Sequence, residues 1–249
     1  MRQISSAMFI LPALWLQTAA STVTLTETNN LSITGEISSY SPKTGLVKIN
    51  QYGNISTRPL SAFTEESLET IILWRADKNF ERKSNLDVTA TPHYTDSVSN
   101  TVTTVTNPVT KLKQEFFTYK ETHTICTYKI SIRNESDTPF KNLTADYRIF
   151  FTHRLTEKDY GQYQLAGQVK HDELAPETTW SFETNPFDSA IDYWALPGKL
   201  RPYCTGSNVL GILLRIRKPG LTEEWLEQEI EIGELPRSRE RSEYQKIYK

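Results

Sequence analysis

Between Thr124 and Ile132 every second residue is Cys126, Tyr128, Ile130 or Ile132. Only an extended strand sends such a series to one face, because successive strand side chains point to opposite sides. The pattern returns at 143–151, where Leu143, Ala145, Tyr147, Ile149 and Phe151 share a parity. It returns again at Leu210, Ile212, Leu214 and Ile216, a parity that Cys204 also holds. Further strands are expected at 163–169, 178–183 and 226–232. Turn-rich breaks such as Arg133 to Pro139 separate them. Six or more short strands at this spacing predict an antiparallel β-sandwich over 111–235.

A different block precedes it. Ile33 to Ile37, Leu46 to Ile49 and Ile55 to Leu60 read as three short strands, joined by turns at Ser41 to Gly45 and at Tyr52-Gly53-Asn54. Thr64 before Glu65 and Glu66 marks a helix start. Leu68, Ile71 and Ile72 follow at helical spacing, and Trp74 closes the segment. Three short strands bury a face only by curling, so 21–80 is expected to be a small barrel. The Thr-, Ser- and Asn-rich stretch 81–110 reads as a linker or as first strands, and 236–249 as a charged, solvated tail.

Two sets of residues carry a family resemblance. Gly35, the Val47/Ile49 strand, Gly53, Pro59-Leu60-Ser61 and Thr64-Glu65-Glu66 resemble the small barrel fused to secreted proteins of planctomycetes and verrucomicrobia. That barrel is related to the Sla-type homology domain of yeast endocytic adaptors. The run YKISIRNESDTPFKNLTADYRIFF resembles the immunoglobulin-like domains of the same bacterial proteins. The resemblance implies an all-β chain, a Src-homology-3-like barrel followed by an immunoglobulin-like sandwich, with no catalytic residues to carry over. The yeast relative binds Asn-Pro-Phe-x-Asp peptides. Asn185-Pro186-Phe187-Asp188 places its acid one residue too early for that motif.

Residues 1–20 read as a secretory signal. Arg2 is followed by the apolar run Ala7 to Leu16 and by the small residues Ala19 and Ala20. Ten apolar residues are too few to span a bilayer. The expectation is a periplasmic or extracellular protein, with the signal cleaved or kept as a tether. Export would place Cys126 and Cys204 in an oxidising space, where they either bridge, at a gain of about 4 kcal/mol in the chain-entropy model, or stay as separate buried thiols.

The net charge of −2 excludes an electrostatic footprint for nucleic acid. His93, His123, His153 and His171 show no metal-ligand spacing, and His153 and His171 read as surface turn residues. No nucleophile elbow or phosphate-binding glycine loop occurs, so no catalytic, metal or cofactor residue is assigned. Asp188 and Asp192 are the nearest paired carboxylates. The stretch 182–203 reads as an aromatic loop, and Phe187, Tyr193 and Trp194 are its candidate contacts to a ligand or partner.

The leading expectation is a non-enzymatic structural or interaction module. It would present loops or edge strands to an unknown protein or a surface polysaccharide. A carbohydrate-binding module using 182–203 is the second, and a hydrolase assembled only in three dimensions the third. Asn30, Asn54, Asn134 and Asn142 begin glycosylation sequons, which would carry surface glycans in a eukaryotic secreted chain.

Overall fold

A computed structural model describes residues 22–106, 108–154, 160–195 and 203–247. The architecture is mostly β, with antiparallel sheets and one α-helix, α1 (Glu65–Phe80). The chain divides into two units between Ile71 and Ile72, within α1. The barrel expected for 21–80 thus gives its last nine residues to the second unit.

The first unit is an antiparallel meander of β1 (Thr22–Thr26), β2 (Ser32–Ser41), β3 (Leu46–Gln51) and β4 (Asn54–Pro59). The β3–β4 hairpin turns on two residues, Tyr52 and Gly53, at φ of 51° and 94°. Two-residue hairpins favour positive φ at both positions because that twist matches the flanking strands. A Cβ on Gly35 would come within 2.6 Å of the Asn50 oxygen, so only glycine fits where β2 crosses β3. Leu25, Ile33, Ile37, Val47, Ile49, Phe63 and Ile71 fill the core. After a short 3-10 turn the chain returns to β1. Thr28 N donates to Ala62 O at 2.8 Å and Thr64 N to Thr26 O at 3.0 Å, around a bridge between Glu27 and Phe63. Thr26 N also donates to Ser67 Oγ at 2.7 Å, tying the helix start to the first strand.

In the second unit, β5 (Leu86–Thr106) and β6 (Lys113–Asn134) form one long hairpin. The stretch read as linker or first strands is therefore mostly a single 21-residue strand. The remaining strands are β7 (Phe140–Arg154), β8 (Tyr160–Leu174), β9 (Thr179–Glu183), β10 (Phe187–Ala195), β11 (Tyr203–Pro219), β12 (Trp225–Gly233) and β13 (Gln245–Ile247). Two groups face each other in a sandwich-like arrangement. One is β9–β6–β5; the other is β12–β11–β7–β8–β13. β10 joins them, pairing with β6 on one edge and with 203–206 of β11 on the other.

The alternating residues of β6 and β7 meet as expected. Cys126, Tyr128, Ile130 and Ile132 pack with Leu143, Ala145, Tyr147, Ile149 and Phe151. Ile212, Leu214 and Ile216 join them from β11. Leu210 does not. The register shifts between Val209 and Gly211, and an inserted residue flips every side chain before it to the other face. Leu210 packs instead in a separate cluster with Phe150, Leu213, Leu235 and Tyr244. That cluster revises the charged-tail reading of 236–249. Tyr244 is buried, its ring meets Phe150 edge-on at 5.4 Å, and its carbonyl accepts from Gln164 Nε2 at 2.9 Å. The chain then adds β13 parallel to β8.

Two buried polar knots fix this unit. On α1, Asp77 accepts from Lys218 Nζ and, at 2.6 Å, from Leu221 N, while Lys218 Nζ also donates to Pro219 O at 2.9 Å. At the β6–β7 connection, fully buried Asn134 donates from Nδ2 to Thr138 O and Leu174 O. Its Oδ1 accepts from Ser136 N and Ser136 Oγ. Asn134 is consequently no glycan acceptor in the folded chain. Asn30 and Asn142, at φ of 65° and 55°, are exposed.

Candidate functional site

The stretch 182–203 is mainly strand rather than loop. Of its described residues, 182–183 belong to β9, 187–195 to β10 and Tyr203 to β11, and 196–202 lie outside the described residues. Phe187 is 3% exposed and stacks on Phe151 at 4.8 Å. It is a core residue and no partner contact. Phe182 is half-buried against Trp180 at 5.0 Å. Tyr193 and Trp194 lie near the end of β10, opposite Glu121 and Lys120 of β6; their side chains lie outside the described residues.

The cysteines are not brought together. Cys126 is opposite Phe187 on one edge of β10, and Cys204 opposite Asp192 on the other. Two strand spacings and roughly 15 Å along the strand separate them, against a bridging limit near 7 Å between Cα atoms. Cys126 is a free, buried thiol. Burial pushes it up to about 11, with a Tyr94 hydrogen bond pulling the other way. Such a thiol is unreactive at neutral pH.

Where β10 joins the two sheets, four polar residues converge that sequence spacing did not connect. His123 Nδ1 lies 3.5 Å from Asp188 Oδ1. Ser207 Oγ donates to the Asp188 carbonyl oxygen at 2.9 Å. That commits its one proton, so His153 Nδ1 is the donor in the 2.7 Å bond to Ser207 Oγ. His153 is half-buried within β7, and half-buried His171 stacks on Trp180 at 4.8 Å. Neither is a surface turn residue. Asp192 is opposite Thr122 on β6, and its side chain lies outside the described residues.

Burial lowers the His153 pKa below the ordinary 6.5, and the Asp188 charge only partly opposes this. A histidine whose folded pKa is depressed resists protonation in the native state. Its contribution is complete above the unfolded value and is lost as pH falls through the window below 6.5. The urea midpoint is therefore expected to drop between pH 7.5 and pH 5. H153N keeps a donor for Ser207 and removes the titration, so its midpoint should be flatter over the same range. An equal slope in both proteins would assign the effect elsewhere.

The other exposed chemistry lies along the sheet edge. β5 is the terminal strand of the nine-stranded order, and its outer edge has no strand partner among the described residues. From Thr91 to Val98 both faces of β5 are exposed, with Tyr94 at 55% and Val98 at 51%. The strand contains Asp87 and Asp96 but no lysine or arginine. Exposed edges usually carry lysine, proline or bulges that block pairing with another chain. Here Pro92 and one register shift at Thr101/Val102 stand in the whole length.

No family model matches the chain, and no curated protein matches it. A solved structure described as the X-ray structure of Northeast Structural Genomics Consortium target SoR45 is similar at 10% identity. The match covers 63% of this chain and 91% of that chain, with a TM-score of 0.23.

Proposed function

We propose that this chain is an exported, non-catalytic interaction protein, a Src-homology-3-like barrel followed by an immunoglobulin-like sandwich, which takes an extended partner segment along β5. The signal-like residues 1–20 support export. The return of 62–64 onto β1 after the 3-10 turn supports the barrel, and the two facing strand groups joined by β10 support the sandwich.

The observation that carries the reading is the edge of β5, which has no strand partner among the described residues. A strand there offers main-chain donors and acceptors in sequence, and a partner segment completes them by β-augmentation. Thr, Ser and Val predominate from 95 to 106. These residues suit pairing with many sequences and leave specificity to flanking contacts.

A photo-cross-linking residue at Thr95 or Ser97, exposed in the full chain, tests it in the native envelope. Glu227 of β12 is the control position. Adducts are expected at the two β5 positions and not at Glu227. Each should map to one contiguous partner segment. Equal labelling at all three positions would overturn the proposal.

A further inference from the structure

We infer that the outer face of β7, β8 and β11 holds a second binding site, one for a carboxylate borne on a hydroxylated sugar, as in a uronic acid. Asp146, Arg148, Gln168, Arg215 and Arg217 surround an open basin of about 400 Å³ on this face, with Leu213 at its wall. Three guanidinium groups and the Asp146 carboxylate line it, and Glu227 and Glu229 flank Arg215, so Arg148 is the cation there without a paired carboxylate among the described residues.

The strand register explains the arrangement. Asp146 is directly opposite Arg215 on β11 and Gln168 on β8, while Arg148 is opposite Leu213 and Ala166. Arg215 is held by Glu227 at 3.0 Å and Glu229 at 3.3 Å. Arg217 is held by Asp146 at 2.7 Å and lies over the Trp225 ring at 5.5 Å. Both are oriented before any ligand arrives, which lowers the entropy lost on binding. Arg148 is exposed and has no ion pair or hydrogen bond among the described residues. Its planar fork is suited to grip a carboxylate through two parallel bonds.

Asp146 narrows the ligand class. Its oxygens already accept from Arg217 and, at 2.6 Å, from Gln168 Nε2. As an acceptor it opposes a dianionic phosphate close to Arg148, but it welcomes a donating hydroxyl. The Gln168 amide supplies a donor and an acceptor together. A sugar acid has both parts, one carboxylate for Arg148 and hydroxyls for Asp146 and Gln168. An acidic peptide offers the carboxylate without hydroxyls beside it.

Calorimetric titration of the full chain with trigalacturonate tests this, beside its methyl ester, inorganic phosphate and triglutamate. Trigalacturonate is expected to bind in the low-millimolar range, with R148A weakening it by about tenfold or more at an unchanged thermal midpoint. Q168E, which sets a second carboxylate at the rim, should weaken it likewise. The methyl ester should not bind. Absence of trigalacturonate binding, insensitivity to both substitutions, or equal R148A-sensitive binding of phosphate or triglutamate would overturn the inference. The β5 cross-links should be the same in R148A, so the two sites fail or stand separately.

Discussion

Replacing Lys218 with alanine is expected to cost about 3–5 kcal/mol of stability, the usual range for stripping one partner from a buried ion pair. Lys218 is 3% exposed and Asp77 9%. The lysine holds Asp77 and the Pro219 carbonyl, and its ammonium sits 5.9 Å from the Phe80 ring centre. In K218A the Asp77 carboxylate keeps the Leu221 N–H but loses its countercharge in a mostly buried site. The double change D77L/K218M removes both charges and refills the volume, and should recover most of the loss. Urea unfolding of the unsubstituted chain, K218A and D77L/K218M measures this directly. A K218A cost below about 1 kcal/mol would place the pair with ordinary surface bridges.

The second large effect is expected at Asn134, which uses its whole side-chain bonding capacity inside the fold, two bonds from the amide and two to its oxygen. N134A leaves the Ser136 N–H in the buried β6–β7 turn without its acceptor and takes a donor from the buried Leu174 carbonyl at the end of β8. At about 1–3 kcal/mol for each buried group left unmet, the loss should be about 3 kcal/mol. N134D has nearly the same shape, yet it turns an acceptor toward two carbonyl oxygens. It should therefore fall at least as far as N134A at pH 7. A mild N134D would mean that the turn is shaped by its backbone alone. Chemical denaturation resolves either result.

Legibility in the sequence followed burial. β6 and β7 were readable because their inward positions are apolar and their outward ones are not, so the pattern records which face is covered. β5 escaped because its stretch from Thr91 to Val98 covers no core. From Thr91 to Val98 both faces are exposed, and its extended form comes from pairing with β6. Propensity without alternation reads as linker. β10 was hidden for another reason. Its acids and aromatics, with Pro186 and Pro197 in the flanking sequence, suggest a loop, while its register, with an irregularity between Asp188 and Ala190, is dictated by strands on both sides. The bulge at Val209/Gly211 likewise broke a parity that looked continuous from Cys204 to Ile216.

The candidate sites were less legible still. His123, His153, Asp188 and Ser207 come from four strands, and no local spacing announces them. The basin is similar. Arg148, Gln168 and Arg215 become neighbours only once β7 has paired with β8 and β11. Phe187 was misassigned because aromatic character alone does not separate a contact residue from a core one. Its stacking on Phe151 depends on a strand from the facing sheet.

The length of the β5–β6 hairpin also has a mechanical meaning. Its antiparallel register runs from Leu86 opposite Asn134 to Thr106 opposite Lys113, and its hydrogen bonds lie across the strand axis. A load drawn along β5 would stretch those bonds together, in shear, instead of tearing them one after another. β10 would carry part of that tension from β6 into β11, so a pull on the edge strand is shared with the opposite group of strands.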